Sequence, residues 1–298
     1  MMSPTLGWPV SLSSLRQRLR RFAGSRVHVG SLEYFLADTC NLRCGNCAAS
    51  SPFLREPNFP DFDGFVRALE HLAPVLRADQ IKLLGGEPLL NKDICRFIRA
   101  ARQSKIFGSI RVTTNGLLLS KTKEEFWEIA DVVELSVYPA TQAMFTAELL
   151  DSFRQRAAKH GNRLEVNLHS SFMRAISDTR IPDPAMDQKT FDDCAEAHAW
   201  GCHLLYEGRL YRCSRVPTLD RYLRQIGAEH DSFTEDDGIV LDGRAGLAVE
   251  IDRYLSSGTP LKACSFCFGT SGAVEAHRQM PLRFVRSRPK NVDVDAVS

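Results

Sequence analysis

The chain lacks any apolar run of the ~18 residues that would cross a bilayer, which excludes a spanning helix. It also lacks a net charge of either sign. Its 38 basic and 36 acidic residues leave +2, too weak a field to argue for nucleic acid. Lysine is scarce, 9 residues against 29 arginines, a skew that reads as compositional habit and not as a phosphate-binding signal. There is no internal repeat and no low-complexity tract. The first ten residues carry neither a basic start nor an apolar core, so no secretory signal is expected and a cytoplasmic location is. Residues 14–22 read as a short basic helix that packs with its charged face in solvent.

What remains is ordinary globular composition: 298 residues, 44% of them apolar, enough for one large domain or one with a small appendage. From about residue 31 to 170, β-like runs alternate with helical patterns. Strands are predicted at 33–37, 80–84, 109–113, 132–138 and 163–169, and helices at 65–72, 94–101, 121–129 and 142–160. This is the rhythm of βαβ units and an α/β fold with a parallel sheet, either doubly wound or a partial barrel. In both, chemistry belongs at the C-terminal ends of the strands. The rhythm stops in the polar, proline-bearing stretch 176–184, which marks a boundary. Beyond it, residues 202–213 alternate around Glu207-Gly208 as a hairpin, and the tail from about Gln279 reads as loose. The division expected is 1–30 as an extension, 31–180 as the α/β unit, 181–278 as a small cysteine-rich unit and 279–298 as a flexible tail.

Nine cysteines, an odd number without a secretory signal, point to metal ligands before disulfides. Cys40, Cys44 and Cys47 fall within eight residues directly after the first strand. Spaced by three and then two residues, they can wrap one cluster from one loop, and soft thiolates select iron–sulfur or zinc. Three protein ligands leave one iron of a four-iron cube free for an external ligand. The second strand ends in Gly85-Gly86-Glu87-Pro88. Its glycines let the backbone approach a ligand closely, and the Glu87 carboxylate with its neighbouring carbonyls offers acceptors to an ammonium group.

The Cys40-x3-Cys44-x2-Cys47 loop after a first strand resembles the hallmark of the radical S-adenosylmethionine (SAM) superfamily. Gly85-Gly86-Glu87-Pro88, one βα unit later, resembles that family's GGE motif. The resemblance implies a partial (β/α) TIM-like barrel, in which the open iron of a [4Fe–4S] cluster chelates the amino and carboxylate groups of SAM. An electron then cleaves SAM to methionine and a 5′-deoxyadenosyl radical, with a flavodoxin- or ferredoxin-type donor implied as its source. In the same scheme Gly85, Gly86, Glu87 and Pro88 grip the amino group. Thr114 and Asn115, within Thr113-Thr114-Asn115-Gly116, face the ribose. Ser136, Tyr138, Asn167 and His169 face the pocket, where barrel filling is the competing role. One departure is visible: the residue before the last cysteine is usually aromatic and packs near the adenine, but here it is Asn46.

Cys194, Cys202, Gly208-x4-Cys213 and Cys264-x2-Cys267 resemble the twitch domain, the shorter relative of the SPASM domain that follows many radical SAM cores. The resemblance implies one auxiliary [4Fe–4S] cluster on Cys194, Cys213, Cys264 and Cys267, with Cys202 as the substitute for Cys194. A thiol left over from that set is either packing or a hydrogen-atom donor to a substrate radical. Cys95 reads as a small buried apolar residue. The activity implied is oxidation or epimerisation of a carbon centre in a sugar-, aminocyclitol- or aminoglycoside-like metabolite. A ribosomally made peptide is the runner-up substrate, and neither nucleic acid nor a membrane is expected as a partner. Zinc on the same thiols, in a non-catalytic scaffold, is the competing reading.

Overall fold

The computed structural model describes residues 26–54, 58–177, 183–228 and 230–281. The helix expected at 14–22, the centre of the expected boundary (178–182) and the tail from 282 lie outside the described residues. Within them, no helix is long and apolar enough to cross a membrane.

Alternation along β1 (Val27–Ala37) sets the plan. Leu32, Tyr34 and Leu36 join the main apolar core on one side, while Glu33 and Phe35 point to the other. Four helix–strand units follow: α1 (Phe62–Leu72) with β2 (Leu76–Gly85), α2 (Ile94–Gln103) with β3 (Phe107–Thr114), α3 (Glu124–Ile129) with β4 (Val132–Val137), and α4 (Ala147–His160) with β5 (Arg163–Leu168). Each strand pairs in parallel with the next, so β1 to β5 lie side by side in chain order. The helices form because their apolar residues make a stripe. In α1, Asp61 caps the first turn by accepting from the Gly64 N–H (2.8 Å), and Phe65, Ala68, Leu69 and Leu72 are buried on one face. Burying a large one of these contributes roughly 1.5–3 kcal/mol. Two helices start later than expected. Residues 142–144 make a 3-10 turn, and α4 begins only after Thr146 caps it through the Leu149 N–H (3.3 Å). Leu119–Lys121 is likewise a 3-10 turn ahead of α3.

After β6 (Ser171–Met173) and α5 (Pro184–Asp192), the expected hairpin forms from β7 (His203–Tyr206) and β8 (Arg209–Tyr211). It is not set apart from the barrel. β7 pairs in parallel with β1 on the side opposite β2, and β8 and β9 (Gly238–Val240) extend the same sheet antiparallel, giving the order β5-β4-β3-β2-β1-β7-β8-β9. Six parallel strands, with α1 to α4 covering one face, form an open, barrel-like α/β sheet. Between β8 and β9, α6 (Val216–Ile226) packs Leu219, Tyr222 and Leu223 into a second apolar cluster with Phe35, Tyr206 and Phe266. After α7 (Leu247–Ser256), β10 (Val274–Ala276) pairs with β6 and returns the chain to the Cys40–Cys47 loop. There Gln279 bridges Cys44, and the Met280 N–H donates to the Arg43 carbonyl (2.7 Å). The loose tail expected from Gln279 therefore does not begin there: these residues are held by backbone pairing that a polar, aperiodic sequence does not announce.

Candidate functional site

Two residues, Asp38 and Thr39, separate the end of β1 from Cys40, so the thiol loop hangs from the C-terminal edge of the sheet. Gly85, at φ +124°, and Gly86 end β2 beside it. A Cβ at Gly85 would stand 2.3 Å from the Ala37 carbonyl oxygen, and one at Gly86 2.1 Å from that of Thr39. The close approach that these glycines permit is thus chain on chain. It lets the Gly86 N–H donate to Ala37 O (2.7 Å) and the Glu87 N–H to Thr39 O (2.9 Å), pinning the backbone that leads into Cys40.

Glu87 is fully buried. Its Oε1 accepts from Thr114 Oγ1 (2.6 Å) and the Leu89 N–H (3.0 Å), its Oε2 from the Asn115 N–H (2.8 Å). Burial pushes this carboxyl up, and the three donors pull against it. The carboxylate is therefore a brace between the ends of β2 and β3, with Pro88 opening the turn that follows it. Acceptors left at this turn for an ammonium group are the backbone carbonyls beside Glu87, the other half of the expectation. Asn115 reaches the thiol loop directly: its Nδ2 donates to Asn41 Oδ1 (2.6 Å) and lies 3.7 Å from Cys40 Sγ.

The three sulfurs are surrounded by donors. The Leu42 N–H donates to Cys40 Sγ (3.3 Å), while Gln279 Nε2 (3.3 Å) and His277 Nε2 (3.2 Å) converge on Cys44 Sγ. Burial pushes the Cys40 thiol up to about 12 and that of Cys44 up to about 11, and raises Cys47 too. Coordination is what deprotonates such thiols, and donors aimed at sulfur suit the thiolates that result. Tyr138 lies within electrostatic reach of all three and is hydrogen-bonded with the buried Ser136. Its ring stacks on His277 (5.1 Å between centroids), with His169 and Phe172 at 5.7 Å. Asn46 sits at φ +56°, a left-handed position that asparagine adopts more readily than an aromatic residue, and its Nδ2 donates to Glu275 Oε2 (2.9 Å). Asn167 is exposed and donates to Glu134 Oε1 (3.1 Å).

Below this edge, the face of β1 to β5 turned from α1 to α4 carries one central charge per strand: Glu33, Lys82, Arg111, Glu134 and Glu165. In register, Glu33 adjoins Lys82, Lys82 adjoins Arg111, and Glu134 adjoins Glu165. Lys82 Nζ stands 3.6 Å from Glu33, and Arg111 Nη1 pairs with Glu134 (2.9 Å) and Glu165 (2.5 Å). This row was not anticipated, although part of its signal is in the sequence: Lys82, Arg111 and Glu134 each stand alone among the apolar residues of an expected strand. Cys202 belongs to it. Its thiol hydrogen-bonds Glu33, lies near Lys82 and Glu196, and is raised chiefly by burial.

The other four thiols meet elsewhere. Cys264 lies within electrostatic reach of Cys267 and Cys194, and Cys213 within reach of Cys267. The segments are tied by the Ala195 N–H donating to Thr270 Oγ1 (2.8 Å) and the Cys267 N–H to Cys264 O (3.1 Å). Of the two candidates for one position, Cys194 is with the set and Cys202 is not. Arg215 lies among Cys194, Cys213 and Cys267, nearly buried, and pairs with Glu196 at 2.8 Å. Its Nε and Nη1 are buried without a partner among the described residues, which suits an anionic group with sulfur acceptors at this place. Among the described residues no three or more His, Cys, Asp or Glu side chains are drawn together as ligands of one metal ion, so both thiol sets are neighbourhoods and not closed coordination spheres. Cys95 is partly buried against the main core, as a small apolar residue would be.

Comparison with known proteins agrees with the first of these sites. Residues 34–170 match the model of the radical SAM superfamily, whose members hold a four-iron cluster and SAM. Relatives include a GTP 3′,8-cyclase of Synechocystis sp., 31% identical over 170 residues (54% of this chain, 50% of that protein). Another is the GTP 3′,8-cyclase of Limosilactobacillus fermentum, 26% identical over 144 residues (45% and 43%). The chain thus spans half or less of the length of these relatives. Similar solved structures include BtrN in complex with AdoMet and 2-DOIA (15% identity, 77% of this chain and 82% of that one, TM-score 0.47). Streptococcus suis SuiB bound to the precursor peptide SuiA is another (20% identity, 52% and 36%, TM-score 0.38). The stretch from Tyr34 to Ser170 that matches the radical SAM model carries the thiol loop, the glycine turn and the parallel strands that hold them.

Proposed function

We propose that the chain is a radical SAM enzyme that takes hydrogen from an unactivated carbon of a small polar metabolite and so oxidises or epimerises it. The observation that carries this reading is a convergence at one edge of the sheet. Cys40, Cys44 and Cys47 stand on one loop, pinned to the braced Gly85-Gly86-Glu87 turn and to Asn115, above a charged concave face. When bound there, a [4Fe–4S] cluster with SAM supplies what no side chain can, removal of a hydrogen atom from an unactivated C–H bond. A flavodoxin- or ferredoxin-type protein is the proposed electron donor.

The chain's own residues position and discriminate. Glu87 and Asn115 hold the loop before a ligand arrives, so little ordering is left for the binding step. Lys82, Arg111, Glu134 and Glu165 offer donors and acceptors to hydroxyl and amino groups, which favours a carbohydrate- or aminocyclitol-like substrate over an apolar one. Cys202, kept as a thiol by burial beside Glu33, is placed on that face. Hydrogen returned from its Sγ to a substrate radical would complete an epimerisation, leaving a thiyl that one electron and one proton restore. For oxidation, Cys194, Cys213, Cys264 and Cys267 are the proposed ligands of an auxiliary [4Fe–4S] cluster.

A second reading has its own support, since relatives named GTP 3′,8-cyclase align with the domain and GTP carries a ribose with unactivated C–H bonds. One experiment separates them. Anaerobic protein is given SAM, a reductant and deuterated sugars or aminocyclitols, and in parallel GTP or a precursor peptide. Deuterium in 5′-deoxyadenosine identifies the substrate. Two-electron oxidation of the labelled carbon marks a dehydrogenase, and solvent hydrogen gained there marks an epimerase. Formation of 5′-deoxyadenosine by a variant with Cys40, Cys44 and Cys47 all replaced by Ala would overturn the site.

A further inference from the structure

Residues 275–280 cross the Cys40–Cys47 loop and are fastened to it along its length. Asn46 Nδ2 donates to Glu275 (2.9 Å), the Gly45 N–H to Arg278 O (2.9 Å), the Arg43 N–H to Gln279 Oε1 (2.7 Å) and Arg43 Nε to Met280 O (3.0 Å). Two side chains of this segment face one sulfur. Because Gln279 Oε1 is taken by the Arg43 N–H, its amide is fixed with Nε2 toward Cys44 Sγ at 3.3 Å. His277 reaches the same atom with Nε2 at 3.2 Å. Its Nδ1 is buried with no partner among the described residues. Gln279 Nε2 also lies 3.2 Å from His277 Nε2, within reach of donating to it. A proton on Nδ1 would still be a stranded buried donor, whereas a bare lone pair is the cheaper orphan, so the ring proton is assigned to Nε2, with both N–H groups turned to the sulfur they share. Stacking on Tyr138 and Phe172 (5.1 and 5.4 Å) holds the ring in that orientation.

We propose that the 275–280 segment is a strap whose two side chains, His277 and Gln279, donate to the Cys44 thiolate and set the reduction potential of the cluster held by the Cys40–Cys47 loop. The proposal rests on the radical SAM reading of that loop. Hydrogen bonds to a cluster's sulfurs stabilise its more negative, reduced state and so raise its potential. The two residues are positioning residues acting through Cys44, and they lie outside the 34–170 domain.

The test uses the full chain, iron-loaded anaerobically, with the spectroscopic signal that responds to added SAM followed through a reductive titration. His277→Phe keeps the ring stack and removes the donor. Gln279→Glu keeps the acceptor for the Arg43 N–H and turns an oxygen toward sulfur. Each is expected to hold its iron and to titrate at a more negative potential, by up to tenfold in the oxidised-to-reduced ratio at fixed potential, or 59 mV for a one-electron couple. Unchanged potentials at full iron content overturn the proposal. Should His277→Phe lose iron, His277→Gln, which retains an N–H donor, is compared with it. Rescue by Gln supports the strap, and equal loss in both overturns it. Wild-type protein without any SAM-responsive iron signal would instead sink the radical SAM reading itself.

Discussion

The two thiol sets are built in opposite ways. Cys40, Cys44 and Cys47 come from eight consecutive residues on one loop, and what the rest of the fold adds is donors aimed at sulfur. Cys194, Cys213, Cys264 and Cys267 come from the end of α5, the end of β8 and a 3-10 turn after α7, and meet only once those segments have packed around the Arg215–Glu196 pair. A ligand on the first set fills a preformed loop, whereas a ligand on the second cross-links the fold. The largest expected effect follows. Cys213→Ala or Cys267→Ala should lose about half the bound iron together with more than about 5 kcal/mol of stability, the scale of removing a structural metal. Cys44→Ala should abolish SAM cleavage while costing far less. Iron analysis with anaerobic thermal unfolding checks this, and equal losses in the two sets would erase the distinction.

Next in size is the ion pair inside the second set. Arg215→Met leaves Glu196 buried and unpaired, and removing one partner of a buried pair costs about 3–5 kcal/mol. Restoring neutrality with Glu196→Gln in the same chain should recover part of that loss. The exposed Lys189–Asp193 pair serves as the control, and Lys189→Ala should leave the denaturation midpoint where it was. An Arg215→Met protein as stable as wild type would mean that the pair is not part of the cross-link.

Smaller, and dependent on pH, is the effect of Asp237. Its carboxylate accepts from the Lys262 (2.7 Å) and Ala263 (2.8 Å) N–H groups at the start of the turn that bears Cys264. Burial pushes it up to about 6 from an ordinary 3.8. The folded chain therefore holds that proton more tightly than the unfolded one. The stability this gives is complete below about pH 4 and lost as pH rises to about 6, some 2–3 kcal/mol at 1.36 kcal/mol per unit. Urea unfolding midpoints between pH 4 and 6.5 should fall with rising pH in wild type and stay flatter in Asp237→Asn. A fall of the same slope in the variant would assign the dependence to another group.

The regions also differed in how far the sequence could be read. Alternation and helical stripes located all five parallel strands from β1 to β5, because each element there is long enough to show its period. The same reasoning placed Cys40 at the C-terminal edge. It failed where the structure depends on partners far along the chain. That the 202–213 hairpin would join β1 depends on pairing across some 170 residues, and no local pattern encodes it. The contacts of His277 and Gln279 with Cys44 span 233 and 235 residues and come from a polar, aperiodic stretch. Spacing favours Cys194 over Cys202 without excluding the second, and what separates the two thiols in the structure is that Cys202 faces Glu33 while Cys194 lies near Cys264 and Cys267. Charges at strand centres such as Lys82, Arg111 and Glu134 are visible in the sequence, but a charge in a strand is ordinarily taken for solvent exposure.

The smallest effect tests the first set from within. If Glu87 faced a ligand with its carboxylate, Glu87→Gln would change SAM affinity and leave stability alone. As the brace between β2 and β3 it does the reverse. The amide turns an N–H₂ group toward donors that the carboxylate accepted, at a cost of about 1–3 kcal/mol. Thr114→Val removes a single donor, and because Oε1 keeps the Leu89 N–H the loss should be nearer about 1 kcal/mol. The two substitutions touch the same bond, so the double variant should lose less than the sum of the singles. Additive losses would show that Thr114 and Glu87 act independently, and the turn beside Cys40 would then owe its position to the glycines alone.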